Sequence, residues 1–219
     1  MAVSVDHQQC EIRGLNLKIL PERAVWIQEL KTLLLSDLHL GKANHFRRSG
    51  IPVPRQVNDA NTETLLQLLM QYQPGRTIFL GDLFHSHYNQ EWEVLGQVVS
   101  AFPETVFDLV TGNHDILSQH QYERNRINQH QHYALTPEIL LTHIPEVERT
   151  IKPYQICGHL HPAVTLRGKG RQSITLPCFW FGVSVGILPA FGAFTGMKRI
   201  EPVEGDQIFV VADKKIIRY

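Results

Sequence analysis

Cysteine is scarce: Cys10, Cys157 and Cys178 are the three in 219 residues, they lie far apart, and no two have C-x-x-C spacing. A disulfide framework and a thiolate zinc site are therefore excluded, and a reducing, cytoplasmic setting is expected. Charge of one sign is also missing, because 21 Lys+Arg face 21 Asp+Glu and the net is zero with the 12 histidines neutral. No global field draws the chain to nucleic acid or anionic lipid, so such a contact must come from a local basic cluster. The opening MAVSVDHQQCEIRG lacks the basic start and apolar run of a signal peptide, and export is not expected. Residues 172–197 are uncharged and long enough to cross a bilayer, but Pro177, Pro189 and four glycines interrupt them. ITLPCF and VSVGILPAF read better as buried strands, so no membrane association is expected. Internal repeats, low-complexity tracts and linkers are absent.

With 43% hydrophobic and 19% charged residues, the chain can bury a core as one domain over 1–219. Residues 15–20 and 24–28 suggest an antiparallel pair around Pro21-Glu22, and TLLL at 32–35 a strand buried on both faces. Val57, Ala60, Thr64, Leu65, Leu68, Leu69 and Tyr72 recur at helical spacing and stop at Pro74-Gly75. Strand 77–80, a helix over 90–102 and strand 105–110 follow, an alternation that predicts parallel pairing. After about residue 130 helical periodicity fades. Short strands are expected at 139–142, 154–157, 163–166, 173–179, 183–188, 207–211 and 215–218, giving an α/β protein of two sheets sharing one core with helices outside.

Five apolar runs end in polar clusters of one chemical kind: LLLSDLH, IFLGDLF, DLVTGNHD, ILLTH and YQICGHLH. In open α/β sheets ligands bind beyond the carboxyl ends of strands, so these loops can converge. Their shared property is metal-binding capacity: the carboxylates of Asp37 and Asp82, the amide oxygen of Asn113, and the imidazoles of His39, His143, His159 and His161. That is too many ligands for one zinc. It suits two divalent ions if one carboxylate bridges, and Asp82 is the natural bridge. Oxygen and nitrogen ligands without thiolate favour manganese, iron or zinc. Taken singly, each residue has an ordinary reading: Asp and Asn beside Gly belong to turns, and His143 to a satisfied core.

In the order D-x-H, G-D, G-N-H-D, H, G-H-x-H, the five segments resemble the calcineurin-like metallophosphoesterase superfamily over almost the whole chain. The resemblance implies a four-layer αββα sandwich with two central mixed sheets. It assigns Asp37, His39 and His161 to one metal and Asn113, His143 and His159 to the other, with Asp82 between. His114 would face the phosphate and stabilise or protonate the leaving oxygen. Asp115 would orient the His114 imidazole or else cap the following helix.

A narrower resemblance lies in SDLHLGKANHFRRSGIPVP, LGDLFHS, ICGHLHPAV, LPCFWF and ILPAFGAFTG. These are similar to the bacterial ligase-associated DNA damage response endonucleases, the PdeM-type branch. That implies a DNA phosphodiester substrate and a repair role beside a DNA ligase and a helicase; Met197 stands where the branch has a second glycine after FTG. Lys42, His45, Arg47, Arg48 and Arg55 crowd the loop after the first ligands, and Arg47 and Arg48 are candidate substrate contacts or a solvated face. His85 and His87 beside Asp82 are candidates for substrate contact or for surface or supporting roles. Trp180, Phe181, Phe191 and Phe194 are expected in the core, with base stacking the alternative. The competing functions are a phosphatase or phosphodiesterase of small nucleotides and a non-catalytic interaction module on the same fold. Oligomeric state is not encoded in any of these signals.

Overall fold

Thr32–Leu35 (β4) is buried along its whole length, which requires a packed layer on each side of its sheet. In this computed structural model, which describes residues 7–42, 56–85, 88–146, 153–168, 170, 172–193 and 195–219, both layers are present. The first sheet has seven strands in the order β1-β2-β3-β4-β5-β6-β7: Gln8–Ile12, Leu15–Leu20, Ala24–Ile27, β4, Arg76–Leu80, Val106–Val110 and Ile127–His130. Strands β1 to β4 pair antiparallel and β4 to β7 parallel. The second sheet runs β14-β11-β12-β13-β10-β9-β8, with β15 on β12 and β16 on β15. Its strands are β8 Tyr133–Thr136, β9 Ile139–Leu141, β10 Tyr154–Cys157, β11 Pro162–Arg167, β12 Ser173–Phe181, β13 Val185–Ile187, β14 Lys198–Arg199, β15 Gln207–Ala212 and β16 Lys215–Arg218.

Side chains alternate across a strand, and that parity divides the core. Leu33, Leu35, Phe79, Phe107 and Leu109 point to the helices, meeting Leu65, Leu68 and Leu69 of α1 (Gln56–Tyr72) and Trp92, Leu95 and Val99 of α2 (Gln90–Ala101). Leu34, Ile78, Leu80 and Val110 point the other way, onto Ile139, Leu141, Ile156, Phe179, Phe181 and Phe209 of the second sheet. The protein is thus an α/β sandwich with two mixed sheets packed face to face. Helix α2 starts where Asn89 Oδ1 accepts the Glu91 N–H at 2.8 Å, with Glu91 and Glu93 in the first turn.

The expected strands and both long helices are present, most with ends shifted by a residue or two. Residues 172–197 form β12, β13 and loops, and no helix among the described residues is long and apolar enough to cross a membrane. All three cysteines are buried and unpaired. Elements that the sequence did not mark are β1, β7, β8, β14 and α3 (Gln119–Arg124). INQH of β7 carries no apolar periodicity and is a strand because the open edge of β6 offers it backbone partners. Phe181 and Phe191 are in the core, Trp180 packs partly buried on the outer face of the second sheet, and Phe194 lies outside the described residues.

Phe79 is fully buried between β5 and the helices and stacks on Phe107 at 6.4 Å between ring centroids. Phe79→Ala should cost about 3–5 kcal/mol, read as a lower urea midpoint with an unchanged slope. Met70→Ala, on the exposed face of α1, should change stability by less than about 0.5 kcal/mol.

Candidate metal centre

Asp37 and His39 follow β4, Asp82 follows β5, Asn113 follows β6, His143 follows β9, and His159 and His161 follow β10. Because β4, β5 and β6 are parallel, and β9 and β10 are parallel, each sheet presents its loops along one edge. The two edges meet. Ligand atoms of Asp37, His39 and His161 lie within 4.8 Å of one another, and so do those of Asp82, His143 and His159. Asn113 Oδ1 joins the second group at 3.2 Å from His143 Nε2. Asp82 faces both groups, with Oδ1 3.4 Å from His143 Nε2 and Oδ2 3.7 Å from His39 Nε2. The structure therefore gathers all seven residues that the sequence singled out, with Asp82 in the middle.

The donor chemistry fits cations. Asp37 Oδ1, His39 Nε2 and His161 Nε2 are buried with no hydrogen-bond partner. His161 Nδ1 lies 2.9 Å from the Gly196 carbonyl, which can only accept, so that nitrogen carries the proton and Nε2 presents a lone pair to Asp37 Oδ1 at 3.1 Å. Lone pairs so placed repel one another and cost several kcal/mol unless a cation lies between them. His143 repeats the pattern, with Nδ1 donating to Leu80 O at 2.9 Å and Nε2 turned to the second group. Burial pushes the His39 imidazole down to about 3 against the pull of Asp37 and Asp82, which keeps it neutral, as a metal ligand must be. Burial would raise the Asp82 carboxyl, but hydrogen bonds from His143 and the His114 N–H hold it well below the usual range. Burial would lower His143 too, yet Asp82 and the Leu80 carbonyl outweigh it and leave its pKa raised.

Holding so many donors together strains the backbone. Asp37, His39, Asp82, His159 and His161 have φ of 52°, 48°, 49°, 65° and 48°, a left-handed conformation costing roughly 1–2 kcal/mol per residue. Such residues persist only where neighbours over-determine them. The loops also touch too closely for a side chain: a Cβ on Gly158 would lie 2.4 Å from Asp37 Oδ2, and one on Gly112 would lie 2.4 Å from the Asp82 backbone nitrogen. This contact explains the glycine before the ligands in the G-N-H-D and G-H-x-H segments.

Asp115 corrects an expectation. Its carboxylate neither orients the His114 imidazole nor caps α3. Oδ1 accepts the N–H groups of Leu83 and Phe84 at 2.9 and 3.2 Å, and Oδ2 accepts that of Gly112 at 2.8 Å. Helix α3 begins at Ser118 without a side-chain cap. Buried beneath the loops after β5 and β6, Asp115 ties them together, and burial pushes its carboxyl up to about 6 although the Gly112 and Phe84 N–H groups pull it down. The demand of strand-end backbone for an acceptor outweighed the sequence analogy with a catalytic histidine's partner.

His114 has a side chain 42% exposed, with Nε2 4.0 Å from Asp82 Oδ2, so its ring stands over the centre at the mouth. His85 packs against it at a tilt of 43° with centroids 4.0 Å apart and places Nδ1 3.3 Å from His39 Nδ1. The sequence marked His85 only by its place after Asp82; the fold brings it into the site. Arg47 and Arg48, with His45, Arg55, His87, Lys169 and Arg171, lie outside the described residues. Arg23, which no motif marked, lines a cavity together with His161.

No protein-family model matches the chain, and no curated protein matches it by sequence. Among solved structures it is similar to the Pseudomonas putida nuclease MPE, with a TM-score of 0.82 and 25% identity over 98% of this chain and 100% of that one. A remoter likeness is to YfcE, a phosphoesterase from E. coli, with a TM-score of 0.42 and 14% identity over 85% of this chain and 96% of that one. Only the first is near enough to place the fold, and it does so along the entire sandwich.

Asp115→Ala should leave two buried N–H groups and one partly buried one without an acceptor and destabilise the protein by at least about 2 kcal/mol. The melting temperature and metal affinity should fall together. A variant of unchanged stability with only turnover impaired would place Asp115 in the chemistry instead of the scaffold.

Proposed function

We propose that this chain, with the fold and ligand pattern of a calcineurin-like metallophosphoesterase, is a metal-dependent phosphodiesterase that cleaves DNA, with residues 1–219 as one catalytic unit. The observation that carries the reading is the convergence of seven oxygen and nitrogen donors, three of them buried without a partner, around one carboxylate that faces both groups. Asp37, His39 and His161 would hold one divalent ion and Asn113, His143 and His159 the other, with Asp82 shared. The ions we propose are manganese, with iron or zinc as alternatives that the same oxygen and nitrogen donors would accept. Bound there, such a pair supplies Lewis acidity toward phosphoryl oxygens and lowers the pKa of water at the site.

The chain's own groups do the rest. The Leu80 carbonyl behind His143 and the Gly196 carbonyl behind His161 set the orientation of those two rings. His114, with its side chain 42% exposed at the mouth, would donate a proton to the departing oxygen, and the His85 ring packed against it would limit the angles it can adopt. DNA as substrate is supported by the similarity to a structure named as a nuclease, by the motifs shared with the ligase-associated endonucleases, and by Arg47 and Arg48 after the first ligands. Those motifs also support a role in repair beside a DNA ligase and a helicase.

With manganese, the protein should hydrolyse bis-p-nitrophenyl phosphate faster than p-nitrophenyl phosphate and should cut single-stranded or duplex DNA. Diester turnover without DNA cleavage would move the reading to small nucleotides, and absence of any turnover would leave an interaction module. Elemental analysis should find two ions per chain at saturation, each raising the melting temperature by mass action. Asp82→Asn should weaken both ions, whereas Asn113→Ala should mainly weaken one.

His114→Ala should keep both ions and lose turnover by roughly 10²- to 10⁴-fold. The loss should shrink for nitrophenyl esters, whose leaving groups need little protonation. Equal losses for alkyl and nitrophenyl esters would assign the ring to electrostatic stabilisation instead.

A further inference from the structure

Strand β3 is antiparallel to β4 and begins at Ala24, so the turn Pro21-Glu22-Arg23 lies at the edge of the sheet where β4 ends and the metal centre begins. Arg23 closes that turn with φ at 61°, a conformation that costs a non-glycine residue about 1–2 kcal/mol. Its guanidinium is partly buried, and its one side-chain bond among the described residues runs from Nη1 to the Ala190 carbonyl at 3.2 Å. No carboxylate among the described residues neutralises it, and burial lowers its pKa with nothing to offset the effect. A planar fork with most of its donors unused is suited to an oxyanion with two adjacent oxygens.

Two adjoining cavities share Arg23, Pro177 and Ala193. The smaller, about 130 Å³, is closed by His161, Ala190, Thr195 and Met197, so it lies beside one residue of the donor cluster. It has room for about four waters, hence for a phosphate and not for a nucleoside. The larger, about 320 Å³, continues past Phe191 to Asn61 and Thr64 of α1 and is of a size to take one nucleoside. Glu22 and Asp213 line only this larger cavity, which keeps the favourable potential for an anion at the end shared with His161.

We infer that Arg23 grips the phosphate next to the one being cleaved, and that the groove from His161 past Arg23 carries a polynucleotide strand away from the metal centre. The inference rests on the phosphodiesterase reading and adds to it a preference for substrates with more than one phosphate. Arg23 is then a substrate-binding residue, acting on the flanking phosphate while the ligand set acts on the scissile one.

The test uses manganese-loaded protein and one assay, hydrolysis of bis-p-nitrophenyl phosphate, with a short single-stranded oligonucleotide as competitor. The inhibition constant of the oligonucleotide should rise roughly ten- to hundredfold in Arg23→Gln, the value of a charged, bidentate hydrogen bond. The loss of kcat/KM for the small diester should be at least tenfold smaller than that rise. Arg23→Lys, which keeps the charge without the fork, should fall between wild type and Arg23→Gln, and it carries the comparison if Arg23→Gln does not fold. An unchanged inhibition constant, or equal losses for both compounds, would overturn the inference and reduce Arg23 to a tie for the Ala190 loop. Wild type that hydrolyses the diester but is not inhibited by the oligonucleotide would overturn the strand path while leaving the phosphodiesterase reading standing. Failure to hydrolyse the diester at all would remove both.

Discussion

Three buried carboxylates knit the strand-end loops, and the rest of the site depends on how each divides its oxygens. Asp37 takes the His159 N–H on Oδ2 at 2.9 Å, joining the two sheets, and leaves Oδ1 facing the centre. Asp82 takes the His114 N–H on Oδ1 at 2.9 Å and turns Oδ2 toward His39. Asp115 gives both oxygens to backbone and none to the centre. A buried carboxylate is tolerated only when its lone pairs are occupied, so each residue that brings negative charge to the centre also ties two loops. Metal affinity and loop geometry are therefore one property. The His39 N–H bond to Asp82 O and the Gly192 N–H bond to Asp37 O extend the same stitching to backbone.

Close approach follows from that knitting. Left-handed backbone at five ligand positions and side-chain-free contacts at Gly112 and Gly158 are unfavourable locally, and they persist because sheets with fully buried central strands hold the loop ends fixed. The core between the sheets, from Leu34 and Leu80 to Ile156 and Phe179, sets the distance between the two rows of loops. A shift of the sheets would separate the two groups of donors before it exposed much apolar surface.

Around this rigid centre the rim differs in kind. His114 stands 42% exposed at the mouth with the His85 ring against its own, and Arg23 is held by one carbonyl. Exposed side chains at the rim have room to reorient, whereas the buried donors are fixed by the loops that carry them. The division between rigid ligands and adjustable donors follows from burial alone.

The order of elements from residue 15 to 110 was legible in the sequence because each strand and helix there buries apolar side chains at its own period. The donor set was legible as well, since D-x-H, G-D, G-N-H-D and G-H-x-H each sit at a strand end, where polar residues are not needed for packing. What the sequence left open were features made by partners distant in the chain. INQH of β7 has no pattern of its own and is ordered by the edge of β6. Asp115 stands beside His114 in sequence, yet its role was set by the N–H groups of Leu83, Phe84 and Gly112. Arg23 lies in an ordinary-looking turn and comes to line a cavity with His161 because β3 reverses direction against β4. Periodicity and motif spacing report what a segment requires of its surroundings; which backbone group or cavity answers that requirement is decided when the two sheets pack.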